Sequence, residues 1–157
     1  MSQQSTEHST FVIERTYDAA PQRVFAAFAD PAAKRRWFGG PDGGTPNDHE
    51  LDFRVGGREV NRGGPPGGPV YTFEARYYDI VPDRRIVTAY EMLMGDQRIS
   101  VSVATVEFAP AGTGTKLTYT EQGAFLDGLD TSAIREEGTR ELFDQLDAYL
   151  RRETANA

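Results

Sequence analysis

Cysteine is absent from this chain of 157 residues, and only two histidines occur in it. The missing thiols exclude disulfide bonds, thiolate nucleophiles and Cys-ligated zinc sites. A Ser-His-Asp arrangement needs a positioned imidazole, yet His8 lies in a polar amino-terminal segment and His49 follows a loop rich in glycine and proline. We interpret both as solvated side chains. No phosphate-binding loop motif is present either, so we expect no catalytic residue, no metal site and no cofactor.

Positive charge is also scarce, because 17 Lys and Arg stand against 24 Asp and Glu, for a net charge of −7. A nucleic-acid-binding face needs a cluster of basic residues, so we expect no nucleic-acid partner. No apolar run is long enough to span a bilayer, and the first ten residues contain no hydrophobic stretch typical of a signal peptide. These features predict a cytoplasmic protein without stable membrane insertion.

The last predicted element is a long amphipathic helix, from about Thr131 to Arg152. Its apolar residues recur at helical spacing between charged ones, namely at Ile134, Leu142, Leu146, Tyr149 and Leu150. The segment before it, from Leu51 to Gln122, is typical of short strands. A mainly antiparallel sheet needs a cover for its apolar face. One helix laid across a curved sheet leaves space, which makes the interior a candidate binding cavity.

Turn residues and caps divide the remainder of the chain. Pro21 and Asp30-Pro31 are good helix starts, and ten of the sixteen glycines and five of the nine prolines lie between Gly39 and Pro69. The predicted elements before the last helix are a strand at 11–17, short helices at 21–29 and 31–38, and strands at about 50–61, 71–80, 85–94, 99–108 and 116–121. The order is one strand, two short helices, five or six strands and one long helix.

Several stretches on these elements occur in the order of a known family. They are Ala20–Phe25, Asp30–Trp37, Leu51–Gly57, Ile80–Val87, Gly114–Gln122 and Glu136–Gly138. On these residues the chain resembles the activator of heat-shock-protein-90 ATPase homologue family, which belongs to the START-like (SRPBCC) superfamily of helix-grip ligand-binding domains. An extra glycine before Pro41 and a long loop at Gly63–Pro69 depart from the family pattern, so ligand preference is not carried over.

The resemblance implies an α+β helix-grip fold, as in the birch-pollen allergen. A curved antiparallel sheet surrounds a long carboxy-terminal helix, and two short helices follow the first strand. We expect a disordered tail over residues 1–10, a single domain over 11–152 and a frayed end over 153–157.

Residues predicted to contact a ligand share an aromatic or apolar side chain on an element that borders the cavity. On a strand, alternate residues face the same side of the sheet, and aromatic rings suit an apolar ligand. The predicted ligand-binding residues are Trp37, Phe38, Phe53, Tyr71, Phe73, Tyr90, Met92, Val101, Val103, Phe125, Phe143 and Leu146. Ordinary packing is the alternative for each of them.

Two further residues have more than one interpretation. Arg54 could hold a carboxylate of a ligand, or it could pair with a neighbouring acid and fix the turn at Gly56-Gly57. Glycine inside a helix costs about 1 kcal/mol relative to alanine. Its presence at Gly138 indicates that the backbone approaches a strand or a ligand too closely for a side chain. Packing is the favoured explanation for Gly138.

The favoured function is binding of a hydrophobic or amphipathic small molecule, without intrinsic catalysis. The family resemblance implies a second hypothesis, a stress-related co-chaperone acting on the 90-kDa heat-shock ATPase. Polyketide cyclases and aromatases share the superfamily fold and give a third, with Tyr71, Tyr90, Arg98 and Glu121 as conceivable participants. The expected partners are a hydrophobic small molecule or a chaperone, and the protein is expected to be a monomer or a homodimer.

Overall fold

A computed structural model describes residues 4–38 and 48–155 of the chain. The elements within these ranges are β1 (Thr6–Tyr17), α1 (Pro21–Ala29), α2 (Pro31–Lys34), β2 (Asp48–Leu51), β3 (Arg58–Gly63), β4 (Tyr71–Val81), β5 (Arg85–Met94), β6 (Gln97–Ala111), β7 (Gly114–Leu126) and α3 (Ser132–Ala155). The predicted fold class and element order are confirmed, with six strands between the short helices and the long one.

The seven strands form one open, curved sheet in the order β1-β7-β6-β5-β4-β3-β2, and every neighbouring pair is antiparallel. The register shifts between Tyr77 and Asp79 in β4, and between Met92 and Leu93 in β5. Irregularities of this kind bend a strand and increase its twist. They lie in neighbouring strands near the middle of the sheet, where curvature makes room beneath a covering helix.

Three boundaries differ from the sequence-based prediction. β1 begins at Thr6 rather than Phe11, and Thr6–Thr10 pair with β7 where a tail was expected. The single strand predicted at 50–61 is a hairpin of β2 and β3, because Gly56 adopts a φ of +84° in the turn between them. α3 extends to Ala155, beyond the predicted end at Arg152. The predicted loop at Gly39–Gly44 lies outside the described residues.

The carboxy-terminal half of α3 is the part that packs most tightly against the sheet. Phe143, Leu146 and Leu150 are buried in the same core cluster as Ile13 of β1 and Leu117 of β7. Polar contacts add to this packing, since Tyr17 donates a hydrogen bond to the Phe143 carbonyl over 3.1 Å, and Arg15 pairs with Asp144 at 2.6 Å. This half of α3 therefore fixes the position of the whole helix over the concave face.

The amino-terminal half of α3 begins at a cap and covers the middle of the sheet. The Thr131 hydroxyl accepts a hydrogen bond from the backbone N–H of Ile134 over 3.1 Å, which is the usual role of an N-cap threonine. Thr131 is therefore the N-cap of α3. None of the helices within residues 4–38 and 48–155 is long and apolar enough to cross a membrane.

The two short helices pack against the sheet through aromatic rings. The rings of Phe25 and Phe28 in α1 each lie 5.5 Å from the ring of Phe108 in β6. Asp30 caps α2 by accepting from the backbone N–H of Ala32, and the Trp37 indole donates to the Ala27 carbonyl over 2.9 Å. The indole bond ties the end of α2 back onto α1, which places Trp37 and Phe38 beside the concave face.

Candidate functional site

A cavity of about 1010 Å³ lies between the concave face of the sheet, the end of α2 and the amino-terminal half of α3. Its volume is at the upper end of the range of about 300–1,000 Å³ that is usual for small-molecule sites. The cavity exists where α3 and the sheet diverge, because the tight packing of α3 is confined to its carboxy-terminal half. Apolar side chains supply most of its wall within the described residues.

Aromatic rings form a continuous part of this wall. The Phe38 ring lies 5.2 Å from the Phe73 ring, and the Phe73 ring lies 4.7 Å from the Tyr90 ring. On the opposite side, Tyr119 of β7 contacts Phe143 of α3 at 5.2 Å. The other aromatic residues lining the cavity are Phe28, Trp37 and Tyr77. Rings from α1, from the turn that follows α2, from α3 and from three strands thus converge on one space.

Glycine and proline residues border the opening of the cavity. Gly64, Pro65 and Pro66 from the β3–β4 loop line it and are exposed to solvent. Gly138 of α3 also lines it and is exposed, and a Cβ atom placed on Gly138 would meet nothing within 4 Å. Close packing against a strand, the explanation favoured from the sequence, is therefore wrong for Gly138. The missing side chain leaves the opening of the cavity free.

Small residues of β6 lie on the concave face of the sheet, and one of them, Ala104, lines the cavity. Ser100, Ser102 and Ala104 face the concave side and are buried, whereas Val101 and Val103 face outward and are 45% and 42% exposed. Sequence reasoning favoured the valines because apolar residues are usually the buried ones in a half-exposed strand. The register places the small residues inside instead, opposite Tyr90 in β5 and Glu121 in β7, where bulkier side chains would fill the space.

Six of the twelve residues predicted from the sequence line the cavity and are brought together there. These are Trp37, Phe38, Phe73, Tyr90, Met92 and Phe143.

The other six lie elsewhere for identifiable reasons. Besides the outward valines, Tyr71 is the first residue of β4 and is exposed, while Phe53 packs against Phe25 and Tyr77 in the core. Leu146 of α3 is fully buried, and Phe125 is buried beside Gly123. Neither residue is part of the described cavity wall.

A buried polar network centred on Glu59 forms one end of the wall and was missed from the sequence. One Glu59 oxygen lies 2.6 Å from Lys34 Nζ and accepts from the Tyr77 hydroxyl over 2.7 Å, while the other lies 2.7 Å from His49 Nε2. His49 is buried in β2, so its interpretation as a solvated side chain is wrong. The network joins α2 to β2, β3 and β4. The sequence does contain one signal for this network, because period-two spacing puts Glu59 and Asn61 on the same face of β3.

The charge state of this network follows from its contacts. Burial alone would raise the pKa of Glu59, but the Lys34 charge and the hydrogen bonds from His49, Lys34 and Tyr77 outweigh it and lower that pKa to about 2. Burial and the neighbouring Glu59 charge raise the pKa of Tyr77. Glu59 is therefore ionised and Tyr77 neutral, and the acid is balanced by Lys34.

A second polar group, centred on Glu121, lies beside the cavity. Tyr90 donates to both Glu121 oxygens over 2.9 Å, and Tyr119 donates to one of them over 2.6 Å. Tyr90 reaches Glu121 from β5 across β6, which the small Ser102 and Ala104 side chains allow. Burial raises the pKa of Glu121, and the two tyrosines and Arg135 only partly oppose that rise.

Arg135 of α3 completes this end of the cavity. It lines the cavity and pairs with the buried Asp130 at 2.6 Å through Nη2, while its Nε atom is buried without a hydrogen-bond partner. The side chain was not predicted as a site residue, because an arginine in the first turns of an amphipathic helix usually points to solvent. The polar end thus contains one carboxylate, two tyrosines and one guanidinium.

The remaining candidates from the sequence are only partly brought together. Of the four conceivable catalytic residues, Tyr90 and Glu121 are hydrogen-bonded to each other. Arg98 pairs with Glu91 at 2.8 Å on the exposed side of the sheet, and Tyr71 is exposed at the start of β4. Arg54 pairs with Asp52 at 2.8 Å and is exposed, which agrees with the interpretation that it fixes the turn.

Comparisons with known proteins give a family and solved structures. The family profile described as Activator of Hsp90 ATPase homolog 1-like protein matches residues 18–151. A protein from Rhizobium leguminosarum is 45% identical, with a TM-score of 0.90 over 95% of this chain and 98% of that chain. The Mll3558 protein from Rhizobium loti is 54% identical, with a TM-score of 0.85 over 92% of this chain and 99% of that chain. No curated protein matches the sequence at a significant level.

Proposed function

Since this chain belongs to the Activator of Hsp90 ATPase homolog 1-like family, whose fold is typically ligand-binding, we propose that it binds a hydrophobic or amphipathic small molecule. The observation that carries the proposal is the cavity of about 1010 Å³ with an aromatic wall. The proposed contacts are Trp37, Phe38, Phe73, Tyr90, Met92 and Phe143.

The size and lining of the cavity favour an apolar occupant over water alone. Water in an apolar space lacks the two to four polar partners that it needs. Transfer of apolar surface from water is worth about 25 cal/mol per Å², so a ligand that buries roughly 300 Å² gains about 7 kcal/mol before the costs of association. That gain is large enough for binding once the site is pre-formed.

We propose binding without intrinsic catalysis because the carboxylates at this site already hold partners. Glu59 is ionised and neutralised by Lys34, and Glu121 accepts from two tyrosines. A general acid or base needs to reach the proton that it transfers in the substrate. Glu121 lies behind the tyrosines that line the cavity, so its hydrogen bonds are directed to the protein.

Native mass spectrometry of the freshly purified protein tests this function directly. We expect a bound small molecule that denaturation releases, and its mass will identify it. The variant Gly138→Leu places a side chain at the opening of the cavity and is expected to lose the bound mass. Gly138→Ala also replaces the helical glycine but adds only a methyl group. It is therefore the matched control and is expected to retain the bound small molecule. Absence of any bound mass, together with failure to bind added apolar probes, would contradict the proposal.

The family description favours a second candidate, action on a heat-shock-protein-90 ATPase. The test is an ATPase assay of the cognate chaperone with and without this protein, combined with a pull-down. Stimulation that is unchanged in Gly138→Leu would favour the chaperone role over the cavity. No pull-down and no stimulation would remove this candidate and leave the first intact.

A further inference from the structure

We propose that the polar end of the cavity recognises a neutral hydroxyl group on an otherwise apolar, ring-containing ligand. The inference deepens the proposed function and rests on it. It rests on the hydrogen-bonding positions that remain free on Tyr90, Tyr119 and Arg135 once their contacts within the protein are counted. All three residues line the cavity.

The two tyrosines offer acceptors to the cavity rather than donors. A tyrosine hydroxyl carries one proton and can also accept. Both protons are directed to Glu121, at 2.9 Å from Tyr90 and 2.6 Å from Tyr119. Ser102 lies opposite Tyr90, and its hydroxyl acts as a donor that lowers the pKa of Tyr90. The lone pairs of the Tyr119 oxygen and the remaining lone pair of the Tyr90 oxygen are therefore what a ligand can meet. A ligand group that meets them must therefore donate a hydrogen bond.

Arg135 offers the complementary donor. Its Nη2 atom is engaged with Asp130 at 2.6 Å, but its Nε atom is buried and has no partner in the described structure. The Nε atom is shielded from the cavity by its burial, so the donor that a ligand acceptor meets is the part of the guanidinium that lines the cavity; the side chain of Arg135 is 20% exposed. Arg135 is also near the tyrosine–glutamate group, since its charge acts on the pKa of Glu121. A group that both donates and accepts satisfies the tyrosine and the arginine together, and a hydroxyl does so.

Charge excludes the common alternatives to a hydroxyl. Arg135 is already balanced by Asp130, and Lys34 by Glu59. A carboxylate ligand has no proton to give the tyrosine oxygens and would approach Glu121. An ammonium would approach the Arg135 guanidinium, and the nearest acid, Glu121, already accepts hydrogen bonds from two tyrosines. Ethers and hydrocarbons cannot donate at all. The ring preference follows from the aromatic wall formed by residues such as Phe73 and Trp37.

The test compares four probes that share one ring system: pyrene, 1-hydroxypyrene, 1-methoxypyrene and pyrene-1-carboxylate. Dissociation constants are measured by fluorescence titration at about pH 7, where a phenol is neutral. We expect 1-hydroxypyrene to bind about tenfold more tightly than pyrene or the methyl ether, as one charge-assisted hydrogen bond allows. The carboxylate is expected to bind no better than pyrene.

Two double variants assign the preference to Arg135. Arg135→Met with Asp130→Asn removes the donor without leaving Asp130 unpaired. It is expected to reduce the hydroxyl preference, taken as the ratio of the pyrene and 1-hydroxypyrene dissociation constants within that variant, to less than threefold. Arg140→Met with Glu136→Gln removes a matched exposed pair on the same helix and is expected to retain the full preference. The variant Tyr90→Phe, which keeps the ring, tests the acceptor separately and is expected to lower the preference as well.

The outcomes separate this inference from the proposed function. Equal affinity for pyrene and 1-hydroxypyrene, or tighter binding of the carboxylate, overturns the inference and leaves cavity binding in place. A hydroxyl preference that survives both the Arg135 and the Tyr90 variants also overturns it. Binding of none of the four probes overturns the proposed function and the inference together.

Discussion

Neutralising Glu59 tests whether its buried network holds α2 to the sheet. In Glu59→Gln the side chain keeps its shape but loses the charge that balances Lys34, whose Nζ atom lies 2.6 Å away. The side chain of Lys34 is only 8% exposed, so water cannot replace the lost carboxylate. An ammonium group buried without a counter-charge is costly. We therefore expect a large loss in the free energy of unfolding.

The magnitude follows from two independent arguments. The pKa of Glu59 is lowered from 4.5 to about 2, so folding stabilises the ionised form relative to the neutral one by about 3 kcal/mol, with the unfolded chain as the reference. Removal of one partner from a buried ion pair commonly costs about 3–5 kcal/mol. A loss of about 3 kcal/mol is a large part of the 5–15 kcal/mol that is typical of a domain.

Urea denaturation at about pH 7, followed by circular dichroism and by the fluorescence of Trp37, the only tryptophan, measures this loss. Glu136→Gln breaks an exposed pair with Arg140 and is the control, with an expected change below about 0.5 kcal/mol. Adding Lys34→Met to Glu59→Gln removes the unbalanced charge and is expected to recover part of the loss. A cost below about 1 kcal/mol for Glu59→Gln would refute the reasoning.

The same network predicts the direction in which stability changes with pH. Because the pKa of Glu59 is lower in the folded protein than in the unfolded chain, protons bind preferentially to the unfolded chain. The stabilisation from Glu59 is complete above the unfolded value of 4.5 and is lost as the pH falls from 4.5 towards 2. The stability difference between wild type and Glu59→Gln should therefore shrink over this range. A difference that stays constant down to about pH 2 would be inconsistent with a lowered pKa.

Three further predictions concern the sheet and α3. Glu121→Gln should reduce the free energy of unfolding by less than Glu59→Gln does, because burial raises the pKa of Glu121. As the pH falls towards 4.5, wild type should become more stable relative to Glu121→Gln, and the opposite slope in urea titrations would contradict this. Gly138→Ala should raise the free energy of unfolding by about 1 kcal/mol, since the added Cβ meets nothing within 4 Å; a loss would indicate a hidden contact. Val103→Ser on the outer face should change stability by less than about 0.5 kcal/mol, and Val106→Ser on the inner face by more than about 1 kcal/mol; similar values would contradict the register.

The fold could be predicted because its signals are local and repeated. Apolar residues at helical spacing identified α3, and Pro21 and Asp30-Pro31 identified the starts of the short helices. The order of the family motifs then gave the arrangement of the elements. The turn at Gly56-Gly57 was expected, and Gly56 does adopt a positive φ. The hairpin of β2 and β3 was nevertheless missed, because the segment around that turn was treated as a single strand.

The site was harder to predict because it depends on contacts between distant residues. On β6 the inward-facing side was assigned by hydrophobicity, which placed Val101 and Val103 inside, whereas the small Ser102 and Ala104 are the buried residues. The Lys34–Glu59 and Tyr90–Glu121 contacts join residues 25 and 31 positions apart in the sequence. No local sequence pattern predicts such pairs. Large aromatic residues were easier to place, because five of the predicted aromatic side chains, together with Met92, do line the cavity.

Energy transfer from Trp37 to bound pyrene tests the central claim most directly, because Trp37 lies in the wall of the cavity and is the only tryptophan. A pyrene molecule in the cavity should quench the Trp37 emission strongly and saturably at one molecule per chain. Gly138→Ala should retain this transfer and Gly138→Leu should abolish it. Absence of transfer in wild type, or equal transfer in all three proteins, would contradict binding in the cavity.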